Sequence, residues 1–166
     1  MNSNSVTKSA GFTLIELMVV VVIATILISI AVPSYMSQVR QSRRVEAKTA
    51  LLDLAGREER YFSTSVNAAN YSQTSTDLGY PAGAWPQNVG SNYYQVTVCA
   101  VGPNMANSCP PSAQTQPAYV VSAVPIGTQV NDKQCQFFAI DNTGKQWAND
   151  SQDGTGNDTT TYCWAN

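Results

Sequence analysis

A chain of 166 residues with nine Lys or Arg, eleven Asp or Glu and no histidine has a formal net charge of −2, and its length leaves room for one ordinary domain beside an anchor and hardly for two. From residue 54 onward four cations face eight acids; such a surface repels phosphate and argues against a nucleic-acid partner. Without histidine, and with no Ser, Lys or carboxylate constellation at a recognisable spacing, the chain reads as a non-enzyme that asks for no cofactor.

Residues 1–11 are polar, carry one cation at Lys8 and have no apolar core, so they read as a short leader. Residues 12–33 follow as an apolar run; the 21 residues from Phe12 to Val32 would make a helix of about 31 Å, roughly the thickness of bilayer hydrocarbon. A carboxylate inside such a span is costly, so Glu16 needs a partner or a reason. Pro33 falls where the span ends and removes a helix hydrogen bond. Residues 34–62 resume the helical pattern: Leu51, Leu54, Ala55 and Phe62 share one face, while Asp53 and Arg57 pair at i, i+4 on the other. One helix over 12–62 is predicted, with a weak point at Pro33 and an amphipathic second half that must pack on a domain.

Residues 63–92 turn abruptly to Ser, Thr, Asn, Gly and Pro with scattered aromatics and read as a long irregular connection. Residues 93–166 are the strand region: 93–101, 119–124 and 136–140 are β-branched or aromatic runs, a fourth candidate lies at 145–148, and a Gly- and Asp-rich loop follows over 150–158. The fold class is α+β: a long N-terminal helix, half membrane-spanning and half amphipathic, packed on a small antiparallel sheet of three or four strands with a disulfide-closed C-terminal loop.

The cysteines stand at 99, 109, 135 and 163, an even count in a polar, loop-rich half, which points to two disulfides and an oxidising compartment. Spacing alone leaves three pairings open; Cys99 with Cys109 and Cys135 with Cys163 closes separate loops and is the preferred one. Asn149, Ser151, Asp153 and Gly154 match positions 1, 3, 5 and 6 of a calcium loop, but position 12 is Thr160 rather than glutamate, so a solvated turn is the better reading and no metal is expected. Orientation is contested. Arg40, Arg43, Arg44 and Lys48 after the span favour a cytoplasmic domain, whereas the cysteines favour an extracytoplasmic one. A secreted soluble domain cut near Ser29-Ile30-Ala31 is the plainest alternative.

The run Gly11-Phe12-Thr13-Leu14-Ile15-Glu16, after a leader with Lys8 and before the apolar stretch to Pro33, resembles the N-terminus of type IV pilins. The resemblance is specific over 11–62 and loose beyond. It implies cleavage after Gly11 by a prepilin peptidase, methylation of Phe12, and a Glu16 that pairs with the terminal amine of a neighbouring subunit. It further implies a role for Pro33 in the assembled filament, an inner-membrane assembly platform, other pilin subunits as partners, and closure of the C-terminal loop by the last cysteine pair. Localisation would be a single pass in the inner membrane with a periplasmic domain, then the fibre on the cell surface. The segments Pro33-Ser34-Tyr35, Ser42-Arg43-Arg44 and Glu59-Arg60-Tyr61-Phe62 look more like minor pilins than the main subunit. A pseudopilin of a secretion system, or a DNA-binding pilin for transformation, shares the same start.

Overall fold

A computed structural model describes residues 11–64, 70–101 and 118–165. The chain forms two compact units, Met1–Val39 and Arg40–Asn166, and one helix, α1 (Leu14–Thr64, 51 residues), contributes to both.

In the first unit α1 is apolar on every side, with mean hydropathy 2.9 over its best 18-residue window and nearly every side chain exposed. Among the described residues it alone is long and apolar enough to cross a membrane. Two hydroxyls within the apolar run fold back on the helix: Thr25 Oγ1 donates to Val21 O at 2.5 Å and Ser29 Oγ to Ile26 O at 2.7 Å, which satisfies them inside the segment, as hydrocarbon requires. Pro33 offers no N–H to the carbonyl four residues back, yet the helix continues through it.

In the second unit, the rest of α1 buries Arg44, Ala47, Leu51, Leu54, Ala55 and Glu58. The four apolar members recur at the spacing of a single helix face. The two charged ones were not expected on it, and their partners are described below. Phe62 is half-buried against the same core.

The sheet is an antiparallel meander in the order β1 (Gln87–Val89), β2 (Tyr94–Val101), β3 (Ala118–Pro125), β4 (Phe137–Asp141), β5 (Gln146–Asn149). The register sets Gln87 opposite Val96, Val98 opposite Val121, Val121 opposite Ile140 and Phe138 opposite Ala148. Alternation puts Tyr94, Val96, Val98, Ala100, Tyr119, Val121, Ala123, Phe138 and Ile140 in one core with Leu51 and Leu54. Four of the strands lie where the sequence places them. β1 falls inside the stretch expected to be irregular, because three residues carry no periodicity and only pairing with β2 makes them a strand.

The opposite face is also covered: Val120, Phe137 and Ala139 are buried, with Cys99, Val124 and Trp147 against them. This explains why β4 reads as an unbroken apolar run and is buried at all five positions. Gly154 sits over the Phe137 ring with φ +74°, where an added Cβ would lie 3.3 Å from the ring in a conformation that side chains rarely adopt. The last element among the described residues is α2 (Thr160–Ala165). Asp158 accepts the Thr160 amide at 2.8 Å, and Trp164 Nε1 donates to Trp147 O at 3.0 Å, so the helix is tied to β5.

Candidate assembly site and helix anchors

At the start of α1, Thr13 and Glu16 form a reciprocal cap. Glu16 Oε2 accepts the Thr13 amide and the Thr13 hydroxyl, both at 2.8 Å, and the Glu16 amide donates to Thr13 Oγ1 at 3.3 Å. Thr-x-x-Glu is the capping-box signature, and it satisfies donors that a helix start otherwise leaves open. The four-residue pattern was readable in the sequence, where Glu16 drew notice as a costly charge and as a partner for a neighbour's amine but not as a cap. Oε1 takes no hydrogen bond among the described residues, so the same carboxylate can cap its own helix and still present one oxygen outward. Gly11 and Phe12 precede this cap, Phe12 being 91% exposed. Pro33 lies on the same apolar surface, and no other charged residue occurs between Phe12 and Val39.

Several charged residues of α1 fasten it within the second unit, and two of them, Arg44 and Glu58, are buried. Arg44 meets Asp132 in a bidentate pair, Nε to Oδ2 at 2.7 Å and Nη2 to Oδ1 at 2.9 Å, with both side chains buried. Asp132 follows a 3-10 turn (Gly127–Asn131) in the β3–β4 connection. From that turn Gln129 Nε2 donates to Asp132 Oδ2 at 3.2 Å, to Tyr94 Oη at 3.1 Å and to Arg40 O at 3.2 Å. Burial alone would depress the guanidinium, but the hydrogen bonds and charge of Asp132, helped by Tyr162, outweigh it and raise its pKa. Toward the other end Glu58 is fully buried, and Oε2 accepts the Ser72 amide at 3.0 Å. Between them Glu46 Oε2 accepts the Ser91 amide at 3.0 Å, fastening the β1–β2 turn.

Cys135 and Cys163 are disulfide-bonded with Cα atoms 5.8 Å apart, joining the start of β4 to α2. Cys99 lies on β2; Cys109 is outside the described residues, and with it the other expected pairing. The candidate calcium ligands serve the loop itself. Asn149 Nδ2 donates to Gly154 O and Gly156 O, Ser151 Oγ donates to Asp153 Oδ1 at 2.6 Å, and the same Oδ1 accepts Thr155 N and Oγ1 at 3.0 and 2.7 Å. Those donors hold the Asp153 carboxyl down at about 2. Among the described residues no group of three or more His, Cys, Asp or Glu is arranged to hold a metal ion.

Cations are spent inside the domain. Besides Arg44, Arg57 Nε binds Asp53 at 2.7 Å, Lys48 Nζ donates to Trp164 O at 3.1 Å, and Arg43 lies 3.6 Å over the Tyr93 ring while donating to Thr128.

Residues 33–139 match the family described as "Type IV minor pilin ComP, DNA uptake sequence receptor", and residues 6–32 match the prokaryotic N-terminal methylation motif. The chain is 34% identical over 93 residues to the type IV major pilin protein PilA of Myxococcus xanthus (strain DK1622). That match covers 56% of this chain and 39% of the relative's length. The methylation motif sits on the capped, apolar start of α1, and the other match runs from Pro33 into β4 across the anchored half of the helix. The chain belongs to the family of ComP-type minor pilins, and is a type IV pilin opening on an N-terminal methylation motif.

Proposed function

We propose that this chain is a minor structural subunit of a type IV pilus, cleaved after Gly11, methylated on Phe12 and drawn into the fibre through α1. Before assembly a prepilin peptidase and an inner-membrane platform act on a single-pass precursor whose domain is periplasmic, where the Cys135–Cys163 bond has an oxidising setting. The observation that carries this reading is the Thr13–Glu16 cap at the head of a helix that is apolar and otherwise uncharged as far as Val39. In a packed core Glu16 Oε1 meets the Phe12 ammonium of a neighbouring copy, which neutralises both charges and sets axial register.

Two substitutions separate pairing from capping. Glu16→Ala loses both roles, while Glu16→Gln keeps an N3 side chain that can close the box and removes only the charge. Pairing predicts that both variants keep a folded domain and that both drop out of purified pili by about tenfold or more, the scale of one lost charge-assisted contact. Wild-type incorporation of Glu16→Gln would leave capping as the whole role. Mass spectrometry of the mature chain should find methylated phenylalanine at Phe12; a start at Val32 would sink the pilus assignment.

The family description favours a second reading, reception of DNA. Against it, Arg43, Arg44, Lys48 and Arg57 are engaged within the domain, and the exposed cations Arg60, Lys133 and Lys145 lie on separate elements among acids. Such a surface offers few phosphate contacts. Retarded migration of duplex DNA by the full chain at physiological salt would establish that reading.

A further inference from the structure

Glu58 has an environment that its neighbours on α1 do not share. It is fully buried, Oε2 takes one hydrogen bond from Ser72 N, and Oε1 is buried with no partner among the described residues. Two residues before Ser72, Asn70 Oδ1 is likewise buried without a donor. The junction of helix and connecting segment therefore holds two oxygen acceptors and too few hydrogens, an arrangement that costs the full desolvation of each.

A cation does not supply the deficit. Every Lys and Arg from Arg40 onward lies among the described residues, since 65–69 and 102–117 contain none, and neither ion pair formed there includes Glu58. Arg57, one position away, turns to Asp53 and to Leu78 O at 2.8 Å. The titratable groups facing Glu58 are all acids: Glu59 and Tyr61 from α1, Tyr71 and Asp77 from the connecting segment, and Tyr119 from β3. Each disfavours a second negative charge.

We infer that Glu58 is kept as the neutral acid at neutral pH, that its proton latches residues 70–72 onto α1, and that its loss in alkali releases them. The neutral carboxyl supplies the missing hydrogen at Oε1 while Oε2 keeps the Ser72 amide. Burial foremost, then Glu59 and Asp77 working against the Ser72 amide, push the carboxyl up to about 8 from an ordinary 4.5. The phenol of Tyr71, raised to about 12, stays neutral over that range. A raised carboxyl means that the closed form holds a proton which the released form gives up. The latch is therefore at full strength below the ordinary value, weakens steadily through the window between the two, and gains nothing further above it.

Hydrogen exchange of the Ser72 amide in the full chain in detergent reads this directly. The protection factor, corrected for the intrinsic rate, should fall about tenfold per pH unit at first and about fiftyfold in all from pH 6 to 8, and stay flat within about threefold in Glu58→Gln. A flat wild-type profile, or a Glu58→Gln profile with the wild-type slope, would overturn the latch. Infrared spectroscopy of the wild type needs no variant: a protonated-carboxyl band present at pH 6 and gone by pH 10 supports it, and absence of that band at pH 6 refutes it.

Discussion

Arg44 and Glu58 stand fourteen residues apart on one buried stripe of α1, and the chain neutralises them differently. Arg44 meets an opposite charge of matching geometry, with Gln129 bonded to the same carboxylate. Glu58 meets a single backbone amide, with acids around it. Burying a charge is costly in either case. A rigid turn that places Asp132 against the guanidinium offsets that cost at any pH where both groups are ionised, whereas a segment supplying only N–H groups leaves the proton as the counter-ion. One anchor is thus pH-insensitive around neutrality and the other is tunable.

The comparison breaks most visibly at Asp132. Asp132→Ala strands a buried guanidinium and should cost about 3–5 kcal/mol, read as a lowered denaturant midpoint of the full chain in detergent. Replacing both partners, Arg44→Met with Asp132→Leu, should recover most of that loss, because the penalty comes from the unpaired charge. A loss in the double variant as large as in the single one would show that the turn itself, rather than the ion pair, seats α1.

The disulfide ranks next. Cys135 and Cys163 are 28 residues apart, and closing such a loop is worth about 3.5 kcal/mol in the chain-entropy model. The double Ser variant should lose roughly that much, and exchange protection should fall first at the Arg44 end. There the Tyr162 ring lies 4.9 Å from the Arg44 guanidinium, Trp164 accepts from Lys48, and the Trp164 ring packs on Phe138 with centroids 6.0 Å apart. The Ser72 amide, held from the other end of the stripe, should change least.

The same contrast marks what was legible before the structure. The last disulfide was only the preferred one of three pairings, but the spanning run, the helix through Pro33 and four strands follow from local signals: apolar length, a 3.6-residue face and β-branched runs bounded by turns. The buried charges do not. Arg44 and its partner are 88 positions apart and Glu58 and Ser72 are 14 apart, and a charge on a helix face reads as solvated until its partner is seen. α2 escaped notice because a six-residue helix has no stability of its own; the Cys163 bond, the Asp158 cap and Trp164 hold it. The sheet's doubly covered middle was hidden too, since Phe137 and Phe138 next to each other break the alternation that marks a one-sided strand.

The smallest effect belongs to the exposed face of the same helix. Asp53 and Arg57 are paired at 2.7 Å with side chains 53% and 34% exposed, so water and salt screen them and neither needs the other to avoid a buried charge. Asp53→Ala should cost only about 0.3–0.5 kcal/mol at low salt and nothing measurable at high salt. Arg57 keeps its bond to Leu78 O and its place over the Tyr80 ring, which holds the connecting segment whether or not the carboxylate is present. A salt-independent loss approaching that of Asp132→Ala would mean that Asp53 steers Arg57 onto the segment, and the helix would then have a third anchor, on the face where charge is otherwise free to be solvated.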